Sequence, residues 1–523
     1  MDDWTMFKNT VLYSEKTKLM MEWGGMDLND DYIFSMERKM NTAMKAMREL
    51  EAGAIANPDE ERMVGHYWLR APKLAPTPEL REEIESCLAH IKAFVRDVHE
   101  GKIVSEGGRK FKNALVGGIG GSSLGPLFVS KALGTPEDRM KLYFLDNTDP
   151  DGMDAAFRAV EPELDETLTI IISKSGGTIE TRNGMVEAKA FYEAHGLSFA
   201  KHAVTVTGVD SKLDKVAVSE GWMDRFPMWD WVGGRTSVMS AVGLLPLALQ
   251  GIDIDSFLKG AAECDELGRE PNVLENPAAV MALAWYRMSG GRGGVTQVVL
   301  PYKDSLDLLA KYLQQLVMES LGKELDLEGR KVNQGLAVMG NKGTSDQHSY
   351  VQQLVGGPDN IFVIFVQVLK DRAGKSVCVG EDSTSGDYLN AFMLGTKKNL
   401  EDHGKKTMTV TVPCVSAYNV GQLIAIWERA VGLYAQLINI NAYHQPAVEY
   451  GKKCAGVLID VKNRARELLL ASDGAMTAPE IAKALGADAQ DVFRLLMHLC
   501  ANDERLTMNV DPEDITESTF AKK

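Results

Sequence analysis

The sequence predicts an α/β chain built on two doubly wound parallel sheets, with helical material before them and a small helical extension after them. Three observations lead there. At 523 residues the chain is too long for a single core. Short apolar runs alternate with helical stretches from about 111 to 250 and again from about 297 to 413, the pattern of parallel strands joined by crossover helices. Two of those strands run into turns rich in glycine and hydroxyl side chains, at the edge where such sheets bind ligands.

Composition narrows the class. Hydrophobic residues make up 45% and charged residues 25%, the balance of an ordinary globular chain. With 57 basic against 73 acidic side chains the net charge is −16. General attraction to nucleic acid or an anionic membrane is therefore not expected, and any anion site must be local. The six cysteines are scattered without a C-x-x-C pair, as reduced thiols in a cytoplasm would be. The MDDWTMFKNT start holds no signal-peptide core and no apolar run of about 18 residues occurs, so a cytoplasmic location is expected. The nine histidines show no spacing such as H-E-x-x-H; neither a structural nor a catalytic metal is expected.

Residues 1–110 read as a helical arm with charged faces. The first α/β domain, 111–290, has expected strands near 114–117, 141–146, 168–173, 203–207 and 226–229. The first strand enters ALVGGIGGSSLGPLFVSKAL, where five glycines and two serines fall within nine residues before a helix. Glycines admit close approach of the backbone, and a helix start offers N–H groups and a favourable dipole to an anion. Three readings fit this turn alone: a dinucleotide loop with Gly118, Gly120 and Asp146, a nucleophile elbow with Ser123, or a plain packing turn. The strand LTIIIS then runs into Lys174-Ser175-Gly176-Gly177-Thr178 and a helix. Neither a dinucleotide nor a nucleophile elbow requires this second hydroxyl-rich turn. Together the two turns can hold one phosphate from two sides, with Ser173, Ser175, Thr178 and Thr181 as donors. Next, Gly233-Gly234-Arg235-Thr236-Ser237 places an arginine in a glycine turn ahead of an apolar helix.

The second α/β domain, 291–455, has expected strands at 297–302, 335–340, 361–369 and 408–413. Between the first two, a helix from Ser305 to about Leu321 is expected from the stripe Leu309, Leu313, Leu316, Val317. Gln315 and Glu319, four apart, share a face. Glu319 stands in the last turn, where the helix dipole disfavours its charged form, which suits a general base. Two histidines, His348 and His444, lie in polar loops and compete for any proton-transfer role; spacing does not choose between them. The extension 456–523 opens a helix with the capping box Thr477-Ala478-Pro479-Glu480 and forms a helix-turn-helix-like pair. Its 12 acidic and 8 basic residues suit an interaction or packing module better than a DNA reader.

With GIGGSSLGP, SKSGGTIET, VGGRTS, QQLVMESLGK, the D-Q-H at 346–348 and QPAVEYGK in that order, the chain resembles the phosphoglucose isomerases. The resemblance implies two sugar-isomerase (SIS) domains, a homodimer and no cofactor. It also implies aldose-ketose exchange between glucose-6-phosphate and fructose-6-phosphate, by ring opening and an enediolate, in glycolysis and gluconeogenesis. Carried over by motif, it implies that Ser122, Ser173, Ser175 and Thr178 hold the phosphate with Lys174 and Thr181 beside them, and that Gly121, Gln315 and Gln445 touch substrate. Glu319 would be the base, His348 and Lys452 would assist ring opening, and Arg235 would stabilise the enediolate.

Overall fold

The computed structural model describes residues 3–523, the side chains of residues 3 and 448–450 excepted. They form two compact units, one ending at His444 and one beginning at Gln445.

The first unit opens with an antiparallel hairpin, β1 (Val11–Tyr13) and β2 (Met20–Glu22). Helices Asp30–Glu51 and Pro78–Glu100 follow. Each has a capped start: Asn29 accepts the Tyr32 N–H at 2.9 Å, and Thr77 accepts that of Leu80 at 3.4 Å. Buried Met36, Met40, Met44 and Met47 on the first, and Ile84, Cys87, Ile91, Phe94 and Val98 on the second, recur at helical spacing and join the main core.

A five-stranded parallel sheet comes next: β3 (Asn113–Gly117), β4 (Lys141–Leu145), β5 (Thr167–Ser173), β6 (Ala203–Thr207) and β7 (Asp224–Pro227). Each starts and ends within two residues of its expected bounds. Strands β3, β5 and β6 are buried along their whole length, which is why they read as continuous apolar runs rather than alternating ones. The order is β4-β3-β5-β6-β7. Strand β3 crosses to β4 on one side and the chain returns to β5 on the other, so the turns after β3 and β5 flank the point where the winding reverses. Open α/β sheets bind ligands in the crevice at that point.

The second sheet contains β8 (Thr296–Pro301). After it come a two-stranded ribbon, β9 (Lys323–Leu325) with β10 (Lys331–Gln334), and then β11 (Ala337–Met339), β12 (Ile361–Val368) and β13 (Lys406–Val412). Its order is β1-β2-β13-β12-β8-β11. The core four strands are parallel, and β2 adds antiparallel to β13, with Met21 opposite Val410. The amino-terminal hairpin thus covers an edge of this sheet, although the segment around it is mostly helical.

The stretch from Ser305 to Leu321 departs from a regular helix. It is a 3₁₀ turn at Asp304–Leu306, an α-helical turn at Leu309–Leu313 and a π-helical turn at Gln314–Glu319. Leu309, Leu313, Leu316 and Val317 are all buried, as their stripe requires. The wider final turn changes the pitch without changing the buried face, and such π turns recur at functional sites.

Buried charges pin the helices behind the sheets. Arg429, on helix Ala417–Leu437, reaches Asp265 at 2.7 Å and Glu51 at 2.5 Å; Arg70 reaches Asp265 at 2.7 Å and also bonds Glu428. Against the upward push of burial, Arg429 and Arg70 hold the Asp265 carboxyl down at about 2.

The second unit contains helix Pro446–Ala471, β14 (Met476–Thr477), helices Ala478–Leu485 and Ala489–Asn502, then β15 (Leu506–Asn509) and β16 (Thr519–Lys522). The helix pair is present, and Glu480 accepts the Thr477 N–H at 2.8 Å in the capping box. An antiparallel sheet in the order β14-β16-β15 backs it. Val461, Leu469, Ile481, Val492, Leu496 and Phe520 form its own core.

Candidate active site

Three turns of the first unit meet at the carboxyl edge of the first sheet. Two are the 3₁₀ turns Gly120–Ser122 and Gly234–Thr236; the third is the π turn that ends in Glu319. The Ser237 hydroxyl donates to the carbonyls of Gly121 at 3.2 Å and Gly234 at 2.7 Å. A Cβ on Gly121 would stand 2.0 Å from the Gly234 carbonyl oxygen, and one on Gly120 would stand 3.3 Å from the Gln315 amide nitrogen. Gly121 is thus required by close approach of two backbones. Gly121→Ala is expected to force the turns apart, at a cost of about 1–3 kcal/mol in stability and about tenfold in kcat/KM; urea unfolding and steady-state kinetics check both.

Across that junction lies a buried ion pair. The side chain of Arg235 is 4% exposed, and its Nη1 stands 3.0 Å from Oε2 of Glu319, which is 21% exposed. Its Nη2 donates to the His444 carbonyl at 3.0 Å. Burial pulls the Arg235 pKa down, and the Glu319 carboxylate opposes that pull.

The turn after β5 builds the second half of the site. Ser173 Oγ donates to Thr178 Oγ1 at 3.4 Å, and Ser175 Oγ accepts the Gly177 N–H at 3.2 Å. Gly176 has φ +63°, with Leu213 so close that a Cβ would lie 2.2 Å from its nitrogen. Ser173, Thr178 and Thr181, with Arg182 and Lys212, line a cavity of about 260 Å³. Helix Ile179–Ala194 starts at the same place, so its free N–H groups add to the hydroxyls as anion donors. Lys174 turns away from that cavity: its Nζ donates to the carbonyls of Val232 at 3.0 Å and Asp230 at 3.3 Å. Burial lowers its pKa. It ties the hydroxyl turn to the segment that leads into Arg235.

This constellation has a family. The phosphoglucose isomerase family model matches residues 29–474. The chain belongs to the phosphoglucose isomerases. It is 52% identical over 523 residues to a glucose-6-phosphate isomerase of Geobacter sulfurreducens, covering 99% of each chain. A glucose-6-phosphate isomerase of Nostoc punctiforme is 50% identical over 510 residues, 97% of each. Among solved structures, a glucose-6-phosphate isomerase from Chlamydia trachomatis superposes with a TM-score of 0.79 at 25% identity, covering 88% of this chain and 91% of that one. The nucleophile-elbow reading falls with the local geometry too, because Ser123 is buried and its hydroxyl donates to the Gly120 carbonyl at 3.3 Å.

As a phosphoglucose isomerase the chain brings Glu319, Arg235, Gln315, Gly121 and Ser122 together, but not every residue its motifs single out. His348 ends the turn Ser345–His348 and is exposed; among the described residues no hydrogen bond or ion pair joins it to Glu319 or Arg235. The D-Q-H stretch divides its labour: buried Asp346 accepts the Asn341 N–H at 2.9 Å, Gln347 donates to Thr396 at 2.5 Å, and His348 faces out. His444, its rival, supplies the carbonyl that Arg235 uses, while burial and then the Lys323 charge lower the pKa of its ring. Gln445 and Lys452 belong to the second unit, where Gln445 is exposed at the start of helix Pro446–Ala471 and Lys452 is half-buried along it. Of the QPAVEYGK stretch, the side chains of residues 448–450 lie outside the described ones.

One residue escaped the motif reading. Lys323, last of M-E-S-L-G-K, is buried, and its Nζ donates to the carbonyls of Glu319 at 2.7 Å and His444 at 3.1 Å. The dipole end at which Glu319 sits therefore carries two cations that offset it. The available signal was the lysine four residues after the acid, where a side chain can reach back one turn.

Proposed function

We propose that this chain interconverts glucose-6-phosphate and fructose-6-phosphate, by ring opening and an enediolate, as a step of glycolysis and gluconeogenesis. The observation that carries the reading is the buried Arg235–Glu319 pair at 3.0 Å, tied through Lys174 to a cavity lined with hydroxyls. Gly121, Ser122, Ser173, Ser175, Thr178 and Thr181 hold the phosphate, with Lys174 bracing their turn. Gln315 and Gln445 touch the sugar. His348 and Lys452 assist opening of the ring. Glu319 takes the proton from C2 of the open aldose, the electron pair moves onto the C1 carbonyl oxygen as the enediolate, the proton on O2 passes to O1, and the carboxyl returns the carbon-bound proton to C1, leaving the C2 ketone. Arg235 meets the growing negative charge with a fixed positive one, so its attraction is stronger in the transition state than in the ground state.

The same proposal takes the sugar-isomerase domains as 111–290 and 291–455, with 1–110 as an arm and 456–523 as an extension; the two sheets support separate domains before and after about 290, whereas the last boundary falls inside helix Pro446–Ala471 and the compact unit begins at Gln445. It takes the enzyme as a cytoplasmic homodimer. No helix among the described residues is long and apolar enough to cross a membrane, and all six cysteines are free, in keeping with a reducing compartment. Neither nucleic acid nor membrane is a partner in this reading. Its test is the purified chain with fructose-6-phosphate, coupled to a glucose-6-phosphate dehydrogenase. Steady NADPH formation is expected, and its absence in folded protein overturns the reading.

A further inference from the structure

Lys323 has no part in the reaction set out above, yet it sits against the residues that do. Its ammonium spans two carbonyls, Glu319 at 2.7 Å and His444 at 3.1 Å, and the second oxygen also receives Arg235 at 3.0 Å. One carbonyl oxygen therefore fixes two cations relative to each other, while Lys323 links the π turn to the loop that ends at His444. We propose that Lys323 is a positioning residue for the base: it anchors the Glu319 turn to the His444 carbonyl and, when protonated, places a second positive charge beside the Arg235–Glu319 pair. The proposal rests on the isomerase reading above.

Two features of the site support it. A π turn that ends at Glu319 leaves its final carbonyls without partners inside the turn, and Lys323 supplies one. A lysine with solvent access keeps its head in water; this one is 5% exposed, so its head is held by the carbonyls it bonds. The groups facing it are Arg235, which opposes its charge, Glu319 and Asp59, which favour it, and the half-buried His444 ring. Burial, with Arg235 added, brings its pKa to about 7. A neutral amine still has two N–H groups for the same two carbonyls, so the tether persists as the charge titrates. The sign of the linkage follows: unfolded lysine keeps its proton to about pH 10.4, so the unfolded chain binds more protons above pH 7. From Lys323, stability rises between about pH 7 and 10.4.

The test uses the full chain with Lys323→Met and Lys323→Arg. Lys323→Met is expected to lower kcat about tenfold or more while KM for fructose-6-phosphate stays within about threefold. It is also expected to change the shape of the kcat profile around pH 7, where the missing charge would have titrated. Lys323→Arg, which keeps charge and donors, is expected to recover most of the loss. Urea unfolding at about pH 7 and 9.5 is expected to show wild type gaining stability relative to Lys323→Met as pH rises. A folded Met variant with wild-type kcat and pH profile overturns the proposal, as does a loss confined to KM or one that Lys323→Arg leaves uncorrected. Should the Met variant not fold, Lys323→Gln is judged by the same criteria. Wild type without turnover overturns the isomerase reading itself, a result distinct from an active wild type matched by an active variant.

Discussion

Glu319→Gln should leave a folded chain that still binds sugar phosphate and turns it over at least about 10³-fold more slowly. The substitution keeps the shape of the side chain and removes its capacity to accept a proton. In the proposed reading the phosphate is held by the Gly121–Ser122 turn, the turn after β5 and the start of helix Ile179–Ala194, none of which includes Glu319. The loss should therefore fall on kcat, with KM moving by only a few-fold. A second effect follows from burial. Arg235 loses its carboxylate partner and, among the described residues, keeps the His444 carbonyl, and an arginine left buried without its counter-charge destabilises the fold by about 3–5 kcal/mol. Steady-state kinetics, titration with an unreactive sugar phosphate and urea unfolding separate these terms. Turnover within about tenfold of wild type would mean that another group moves the proton.

Much of this architecture is legible in the sequence. Strand β5 announced itself because LTIIIS is buried on both faces, and its turn could be placed because the strand boundary fixed where the helix begins. The stripe Leu309, Leu313, Leu316, Val317 likewise identified the buried face of the segment that carries Glu319. What the stripe could not convey was pitch, since those four positions stay buried in an α-helical turn followed by a π turn. Short pairings were also hidden. Strands β1 and β2 are three residues each, and β2 pairs with β13, far along the chain; β14 to β16 pair over the core around Phe520.

The site divides along the same line. Residues that act through local geometry, such as Gly176 with its positive φ or Thr178 at a helix start, left a local signature. The Arg235–Glu319 pair did not, because tertiary folding brings together two turns with no shared spacing, and only the family resemblance linked them beforehand. Lys323 fell between the cases: its bond to Glu319 is local, its bond to His444 is not. The chemistry assigned to His348, Gln445 and Lys452 stays a family inference, since His348 faces outward here and the other two lie in the second unit.

Arg235→Ala is the other variant with a large expected effect, a loss of about 10²–10³ in kcat with a smaller rise in KM. The guanidinium is planar and held by two partners at fixed positions, Glu319 at 3.0 Å and the His444 carbonyl at 3.0 Å. It therefore need not reorganise as charge develops on the enediolate oxygen, and such preorganised stabilisation acts on the transition state rather than on bound substrate. Alanine removes this charge and leaves Glu319 with Lys323 as its neighbouring cation. Arg235→Lys should recover only part of the loss, because one ammonium cannot reproduce a fork that meets a carboxylate and a carbonyl at once. If KM rises steeply while kcat holds, Arg235 is instead a ground-state anchor for the sugar. That result would remove it from the chemical step and leave the proton transfer of Glu319 standing without its electrostatic partner.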